Sequence, residues 1–207
     1  MSASKPGPTP AKPAAGSVIA GATVLITGAA RGMGELYARR AVREGAAAVA
    51  LWDLDEERAT RLAAELEGSK DNVARTRVRA FAVDISDREA IAAAARATRE
   101  QLGAPDILVN NAGIVRGALF WEHDPERDIE LTMRINILGP MWLTRELLPD
   151  MMADRSRPKR ILNIASAAGT LANPRMSVYA SSKWAMIGWS ESLRLELARS
   201  GHDHDVV

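Results

Sequence analysis

One tyrosine and one lysine in this sequence have the types and spacing needed for proton transfer. Tyr179 and Lys183 lie four residues apart in "SVYASSKWAMIGWS", residues 177–190. On a helix, this separation places both side chains on the same face, one above the other. A free phenol, with a pKa of about 10, is a poor base at neutral pH, but a cation within a few ångströms lowers that pKa by roughly one to three units. The alternative is a chance pair on a solvated helix face.

Two further polar stretches end predicted strands. Ser166 ends "RILNIAS", the predicted fifth strand, 13 residues before Tyr179, and Asn110–Gly113, "NNAG", end the predicted fourth strand. Ligands of parallel sheets bind at the edge where the carboxyl ends of the strands meet. A hydroxyl, a phenol and an ammonium are therefore predicted at one edge. Taken singly, Ser166 would be a helix cap and "NNAG" a polar turn.

The first predicted strand runs directly into a glycine-rich turn, "TGAARGMG", Thr27–Gly34, which opens a helix. Gly28, Gly32 and Gly34 remove side chains where the backbone turns tightly and approaches a ligand. The N–H groups and the positive dipole at the start of the helix favour a pyrophosphate. A glycine turn can also merely join a strand to a helix, but the strand–turn–helix context favours a nucleotide site.

Acidic residues at the ends of the second and third strands indicate which nucleotide binds. Asp53 ends the second strand, where a carboxylate accepts hydrogen bonds from both hydroxyls of an adenosine ribose. It would repel the 2′-phosphate of NADP, whereas Arg31 would attract it, and the repulsion is the larger effect, so NAD is favoured. Asp53 as a helix cap is the alternative, a role that Asp55 could fill. Asp84 is a candidate for contact with the adenine, or else a capping aspartate.

The pattern from Ala22 onward alternates short β-rich runs with longer helical ones. The predicted strands are "ATVLIT", "AVALWD", "TRVRAFAVD", "DILVNNAG" and "RILNIAS", and each is followed by a predicted helix, including a long stretch from about Pro125 to Met152. This alternation calls for a parallel sheet with right-handed crossovers. The predicted fold class is a doubly wound, three-layer α/β sheet of the Rossmann type.

Composition limits the possible compartments and partners. The 207-residue chain has a formal net charge of +1 and no cysteine, so no global field would recruit nucleic acid or an anionic membrane, and thiol chemistry is ruled out. Residues 1–17, rich in Pro, Ala and Ser, are predicted to be a disordered tail, and residues 18–207 a single domain. No segment has the apolar run of a signal peptide or a membrane span. A soluble, cytoplasmic protein is expected.

These motifs, in this order, make the sequence similar to the short-chain dehydrogenase/reductase family, in its classical branch. The matching pieces are Thr27–Gly34, Asn110–Gly113, Asn136 in "RINILG", Ser166, and Tyr179 with Lys183. "ALWDLD", "NIASAAG" and "YASSK" most resemble the members that act on retinol, 17-beta-hydroxysteroids and other lipophilic alcohols.

The resemblance implies hydride transfer between NAD(P) and a secondary alcohol or ketone. Tyr179 would be the general base for oxidation and the general acid for reduction. Lys183 would stabilise the phenolate and hold the nicotinamide ribose, and Ser166 would hydrogen-bond the substrate oxygen. Asn136 would position a water molecule in a proton relay. Pro140 supports this, since it has no N–H and leaves the Asn136 carbonyl free to accept from water; a simple proline kink is the alternative.

The resemblance also implies a set of cofactor-binding residues. They are Thr27, Gly28, Arg31, Gly32, Met33, Gly34, Asp53, Asp84, Asn110, Ala112, Gly113, Tyr179 and Lys183. No metal ligand is predicted, because "HDHD" at 202–205 is interpreted as a polar loop. Phe120 and Trp121 either line an apolar substrate site or pack in the ordinary way.

The end of the chain gives two further expectations. The resemblance implies the strand order 3-2-1-4-5-6-7, and the chain stops at "DVV", where the sixth strand should begin. The fifth strand is therefore predicted to be an exposed edge that favours aggregation. In the last helix, Trp184, Gly188 and Leu195 form an apolar outer face, which predicts a homodimer or homotetramer through the long helices before and after the fifth strand.

Two other functions share parts of this pattern. A non-catalytic Rossmann sensor of nucleotides needs the glycine-rich turn but not Ser166, Tyr179 and Lys183 together. A nucleotide-sugar epimerase or dehydratase shares the tyrosine and lysine, but normally has another glycine spacing and no "NNAG". The sequence therefore favours the oxidoreductase and leaves the substrate and the direction of the reaction open.

Overall fold

The structure, a computed structural model, describes residues 18–201 and the backbone of residues 205–206. The predicted tail at residues 1–17 and residues 202–204 of the "HDHD" stretch lie outside the described residues. The described part contains a parallel sheet between two layers of helices, as the sequence predicts.

Short apolar runs form the sheet. The strands are β1 Thr23–Thr27, β2 Ala48–Asp53, β3 Arg77–Ala82, β4 Ile107–Asn110, β5 Arg160–Asn163 and β6 Asp205–Val206. All neighbouring strands pair in parallel, in the order β3-β2-β1-β4-β5-β6. β1, β2 and β4 are buried on both faces, which explains why they read as continuous apolar runs rather than alternating ones.

The sixth strand begins inside the chain, and this corrects one prediction. Asp205 pairs with Arg160, and Val206 pairs with Ile161. The chain therefore returns to the sheet before Val207, and β5 has a neighbour on both sides along its first two residues. The prediction of β5 as an exposed edge is wrong for that half of the strand.

The helices lie where the amphipathic runs predict them. Asp55 accepts a hydrogen bond from the N–H of Arg58, and Asp87 accepts from two N–H groups of the helix that follows it. Such caps satisfy first-turn N–H groups that have no partner within the helix. The α-helices are α1 Gly32–Arg43, α2 Glu56–Glu67, α3 Arg88–Leu102, α4 Leu131–Met133, α5 Gly139–Ala153 and α6 Ser177–Arg199.

The helical stretch between residues 125 and 153 contains two π-helical segments, Pro125–Glu130 and Arg134–Leu138. Pro140 gives the physical reason for the second, because it has no N–H to donate to the carbonyl of Asn136. The N–H of Gly139 donates to the carbonyl of Arg134, five residues earlier, which is the π-helical pattern. The irregularity that the proline predicts is therefore present next to Asn136.

Hydrophobic clusters fill both sides of the sheet. On one side, α1 and α2 pack on β1 and β2 around Ile26 and Leu51. On the other side, α3, α5 and α6 pack around Trp52, Leu143 and Leu147. Helices on both faces leave the carboxyl ends of the strands as the open edge, where ligands of such sheets bind. Among the helices of the described ranges, we find none with the length and apolarity that crossing a bilayer requires.

Candidate active site

Tyr179 and Lys183 lie in the first two turns of α6, as their spacing predicts. Lys183 is only 5% exposed, and its Nζ donates to the carbonyl oxygen of Ile164 at 2.6 Å. The same Nζ lies 5.9 Å from the centroid of the Tyr179 ring. Burial lowers the pKa of Lys183. A negative charge formed on the neighbouring phenol would act in the opposite direction and favour the ammonium.

The side chain of Asn136 is fully buried and joins two segments beside this pair. Its Oδ1 accepts from the N–H of Ile114 at 2.8 Å. Its Nδ2 donates to the carbonyl of Ile114 at 2.9 Å and to the hydroxyl of Ser182 at 3.0 Å. Asn136 thus connects the chain after β4 to α6, one residue before Lys183. The binding of water by its carbonyl stays a prediction.

Ser166 follows β5 and caps a short 3₁₀ helix, Ala167–Gly169. Its Oγ accepts from the N–H of Ala168 at 3.2 Å. This helix packs closely on α6, since a Cβ added to Gly169 would lie 2.9 Å from the carbonyl oxygen of Lys183. Capping leaves the hydroxyl hydrogen of Ser166 free to donate, so the structural and chemical interpretations are compatible.

The "NNAG" turn passes close to these groups at its glycine. A Cβ added to Gly113 would lie 3.3 Å from Oδ1 of Asn136 and 3.8 Å from Nζ of Lys183. Gly113 also lines the nucleotide cleft described below. Gly113 therefore lies between the nucleotide cleft and the predicted catalytic residues.

Thr27 and Asn111 connect the glycine-rich turn to the "NNAG" turn. The Oγ1 of Thr27 accepts from the N–H groups of Asn111 and Ala112, both at 3.0 Å. The Nδ2 of Asn111 donates to the carbonyl oxygens of Thr27 at 2.9 Å and Gly28 at 3.1 Å. Asn111 was not among the predicted site residues, because two consecutive asparagines offered no local signal for choosing between them.

Asn110, the other asparagine, points into the protein and is only 2% exposed. Its Nδ2 donates to Oδ1 of Asn163 at 2.8 Å and to Oγ1 of Thr144 at 3.2 Å. Asn110 ends β4 and its side chain faces the interior, whereas the side chain of Asn111 bonds to the glycine-rich turn. Contact between Asn110 and the cofactor stays a prediction, and Asn110 is not among the residues that line the cleft described below.

Gly28 and Gly34 make the closest backbone contacts of the glycine-rich turn. A Cβ added to Gly34 would lie 2.0 Å from the carbonyl oxygen of Gly28, and one added to Gly28 would lie 2.9 Å from Cα of Ala112. Gly28 also has a φ of +62°, a conformation that glycine adopts readily. Arg31, the residue that precedes α1, does not cap the helix with its side chain. The first-turn N–H groups can therefore bind an anion.

Asp53 contacts the same turn from the end of β2. Its Oδ2 accepts from the N–H of Ala30 at 2.9 Å, and its Oδ1 accepts from the N–H of Asp55 at 3.0 Å. Asp55, not Asp53, caps α2. Asp53 is thus held at the sheet edge beside the glycine-rich turn, as predicted.

A cleft with a volume of about 320 Å³ opens at this edge. Asp84 lies at its rim, exposed, with Oδ1 accepting from the N–H and hydroxyl of Ser86. Gly32, Gly34, Tyr179 and Lys183 are not among its lining residues. The predicted cofactor-binding residues that line the cleft are Thr27, Gly28, Arg31, Met33, Asp53, Asp84, Ala112 and Gly113.

Apolar side chains from four separate segments form the rest of the cleft wall, and the sequence analysis missed them. Periodicity identifies such residues only as core, because it does not show which strand end each one will face. Trp52 is an example, since it directly precedes Asp53 and its Nε1 donates to Oγ1 of Thr98 at 3.0 Å. The missed apolar residues are Trp52, Leu54, Val83, Ile85, Ile114 and Ile135.

Curated relatives share most of this chain. Estradiol 17-beta-dehydrogenase 11 of Rattus norvegicus is 38% identical over 189 residues, which cover 88% of this chain and 58% of that protein. The NAD(+)-dependent 2-dehydro-3-deoxy-L-rhamnonate dehydrogenase of Sphingomonas sp. (strain SKA58) is 37% identical over 183 residues, which cover 88% of this chain and 68% of that protein. The chain thus spans a little over half the length of the first of these relatives.

Solved structures show the same architecture. A short chain dehydrogenase/reductase from Burkholderia phymatum in complex with NAD superposes with a TM-score of 0.81 at 29% identity, over 90% of this chain and 64% of that one. A 3-ketoacyl-(acyl-carrier-protein) reductase from Brucella melitensis complexed with NADH has a TM-score of 0.79 at 32% identity, over 87% of this chain and 72% of that one.

The sequence profile described as short chain dehydrogenase matches residues 22–203. That range contains the glycine-rich turn, the "NNAG" turn, and the segments that carry Ser166, Tyr179 and Lys183. The profile, the relatives and the arrangement of these residues at one sheet edge agree, and the chain belongs to the short-chain dehydrogenase/reductase family.

Proposed function

We propose that the protein is an oxidoreductase that transfers a hydride between NAD and a secondary alcohol or ketone. The observation that carries this proposal is the buried Lys183, whose Nζ bonds to the carbonyl of Ile164 within 6 Å of the Tyr179 ring. A nucleotide sensor has no use for such a pair at the edge of its cleft. Relatives named as dehydrogenases, and solved relatives with NAD or NADH bound, support the same function.

The residues of the cleft fit NAD. The absence of a side chain at Gly34 lets α1 start directly against the turn, which places uncapped N–H groups where a pyrophosphate binds. The carboxylate of Asp53 is oriented by the N–H of Ala30 and can accept from the ribose hydroxyls. Arg31 lines the same cleft, but a 2′-phosphate there would face the Asp53 carboxylate, so we favour NAD over NADP. When bound, NAD supplies the hydride acceptor.

Tyr179 and Lys183 supply the proton chemistry. In oxidation, the Tyr179 oxygen takes the proton of the substrate hydroxyl, and in reduction it returns one to the carbonyl oxygen. The Lys183 ammonium stabilises the phenolate between these events, and its bond to Ile164 keeps it beside the ring. Ser166 donates to the substrate oxygen and stabilises the charge that develops there.

Asn136 completes the proposed set as the residue that holds the proton route open. Its side chain is committed to Ile114 and Ser182, so only its backbone carbonyl is left to bind a water molecule. The π-helical turn around it is the local distortion that would expose that carbonyl.

Two exposed aromatic side chains in the segment after "NNAG" favour a lipophilic substrate. Phe120 is 61% exposed and Trp121 80% exposed, in the segment that follows "NNAG". Exposed aromatic side chains provide apolar contact area for a ligand. A named relative acts on estradiol, so a lipophilic secondary alcohol is the first substrate class to test.

The outer face of α6 supports self-association. Trp184 is 54% exposed and Leu195 is 48% exposed, and among the described residues no atom from outside the local helix backbone lies within 4 Å of a Cβ added to Gly188. A partner helix could therefore approach closely at Gly188, as in a homodimer or homotetramer through α5 and α6.

A cytoplasmic location is also part of the proposal, and it rests on the absence of cysteine.

Tyr179→Phe tests the proposed chemistry. Because only the proton-transfer group is lost, kcat should fall by about a hundredfold or more, while the NAD dissociation constant should not change. Tyr37→Phe is the matched control, since Tyr37 is the other tyrosine of the sequence and lies on α1. Turnover of lipophilic alcohols and ketones would be followed by NADH absorbance. A Tyr179→Phe protein that keeps most of its kcat would contradict the proposal, as would NAD binding without turnover in the parent protein.

A further inference from the structure

Two hydrogen bonds connect α6 to neighbouring residues at the end of β5 and fix the helix relative to the sheet. Lys183 Nζ donates to the carbonyl oxygen of Ile164 at 2.6 Å, and Asn163 Nδ2 donates to Oγ of Ser190 at 2.8 Å. Lys183 and Ser190 are two turns apart, which places them on one face and about 10 Å apart along the helix axis. Two separated bonds on one face define both the rotation and the axial position of a helix.

The Asn163–Ser190 bond belongs to a partly buried chain of hydrogen bonds in which every donor points the same way, from Asn110 towards α6. Asn110 Nδ2 donates to Oδ1 of Asn163 at 2.8 Å, and the Ser190 hydroxyl donates to the carbonyl of Met186 at 2.7 Å. The hydroxyl hydrogen is thus used, and the Ser190 oxygen presents lone pairs to Asn163. Linked bonds of this kind strengthen one another in a buried setting.

We propose that Asn163 and Ser190 are positioning residues that set the place of Tyr179 and Lys183 at the sheet edge. This inference rests on the function proposed above. The other buried contacts of this face, such as Met186 and Leu193, are apolar. Apolar packing is non-directional, whereas a hydrogen bond weakens steeply as its angle changes. The directional contact at Ser190 therefore acts with the bonds of Lys183 and Ser182 to select a single register for α6.

Ser190→Ala removes this contact, and Ser181→Ala is its matched control. The Ser181 hydroxyl also donates to a carbonyl of α6, that of Ser177 at 2.8 Å, but Ser181 is exposed and this hydrogen bond stays within the helix. Both variants lose one hydroxyl and one bond inside α6. Only Ser190→Ala leaves the buried amide of Asn163 without its acceptor.

The kinetic result expected for Ser190→Ala is a lower kcat with unchanged NAD binding. Displacements of about 1 Å reduce catalysis roughly a hundredfold; the bond between Asn136 and Ser182 still holds the first turns of α6, so we expect a fall of about tenfold. Ser190→Thr, which keeps the hydroxyl, should restore most of the kcat. If Ser190→Ala does not fold, Ser190→Cys replaces it, because a thiol has nearly the same shape and is a weak acceptor.

A second readout does not depend on turnover. The sequence holds two tyrosines, Tyr37 and Tyr179, so in a Tyr37→Phe background the ultraviolet absorbance of phenolate reports on Tyr179 alone. Removing the Ser190 hydroxyl should move the midpoint of phenolate formation relative to the parent protein, because the distance between the Lys183 ammonium and the ring changes when α6 shifts. Ser181→Ala should leave that midpoint unchanged.

The two readouts separate failure of this inference from failure of the proposed function. If Ser190→Ala matches Ser181→Ala in both kcat and phenolate midpoint, the positioning role is overturned while the oxidoreductase function stands. If the midpoint moves but no alcohol or ketone is turned over by the parent protein, the positioning role stands and the proposed function is lost. A loss of thermal stability alone, with both readouts unchanged, would also overturn the inference.

Discussion

Gly34→Ala should open the glycine-rich turn and weaken the binding of NAD. An added Cβ would lie 2.0 Å from the carbonyl oxygen of Gly28 and 2.8 Å from its carbon, where ordinary contact begins at 3.4 Å. Both neighbours are backbone atoms, so no side-chain rotation can relieve the contact. In a close-packed interior, α1 and the turn must therefore separate by roughly 1 Å.

Two opposing effects decide the sign of the change in stability. Inside a helix, Ala is favoured over Gly by about 1 kcal/mol, because Gly loses more backbone entropy on folding. Overpacking costs about 1–3 kcal/mol, and occasionally more. Since the clash at Gly34 involves rigid backbone, we take the upper end and expect a net loss of about 2 kcal/mol in the free energy of unfolding. The displaced N–H groups should weaken NAD binding at least about tenfold, or 1.4 kcal/mol.

Gly32→Ala is the matched control for this substitution. Gly32 lies in the same turn, and a Cβ added there would meet no other residue of the described chain within 4 Å beyond its immediate neighbours. Its φ of +58° gives alanine a backbone strain of about 1 kcal/mol, but no clash. Calorimetric titration with NAD and thermal unfolding would compare the two variants. Equal dissociation constants and equal unfolding midpoints would refute the steric reasoning.

Three further predictions concern the cofactor, the oligomer and the fold. Asp53→Ala should shift the preference toward NADP by removing the repulsion of a 2′-phosphate, and equal kcat/KM values for NAD and NADP in the parent protein would contradict the argument. Trp184→Glu should produce a smaller species in light scattering by placing a charge on the outer face of α6, whereas a monomeric parent protein at micromolar concentration would exclude that interface. Lys159, 2% exposed, donates to the buried Asp106 at 2.6 Å. Lys159→Met should lower the free energy of unfolding by about 3 kcal/mol, the low end for a broken buried pair. We expect the low end because Arg157 still lies 3.7 Å from Asp106. A loss below about 1 kcal/mol, measured by denaturant unfolding, would contradict this prediction, because the pair would then contribute no more than an exposed ion pair does.

Local chemistry was sufficient for much of the fold and of the candidate site. The apolar run of β2 and the cap at Asp55 depend on residues within a turn or two of one another, and the structure contains both. The same is true of Tyr179 and Lys183, because a spacing of four on a helix fixes their common face without reference to the rest of the chain. The close contact between Gly34 and Gly28 also follows from one short turn. Such features are determined by the sequence alone.

Contacts between distant segments were decided only by the tertiary structure. Asn110 and Asn111 are adjacent and chemically identical, yet one bonds to Asn163 on β5 and the other to the turn after β1. Which asparagine faces which neighbour depends on the direction of each side chain from β4, and no local preference encodes that. The prediction of β5 as an exposed edge was wrong in part for a related reason, since strand pairing with β5 depends on the path by which the chain returns to the sheet.

The bond from Lys183 to Ile164 also depends partly on the local sequence and partly on the tertiary structure. The sequence places the lysine beside the tyrosine, but the carbonyl that receives its Nζ belongs to a residue 19 positions earlier, at the end of another element. A lysine side chain is long and flexible, so its own neighbours do not decide where the ammonium stops. Packing of α6 on the sheet brings the carbonyl within reach and buries the charge there. The sequence by itself therefore determined which groups could react, and the packing of the helix on the sheet determined where they are held.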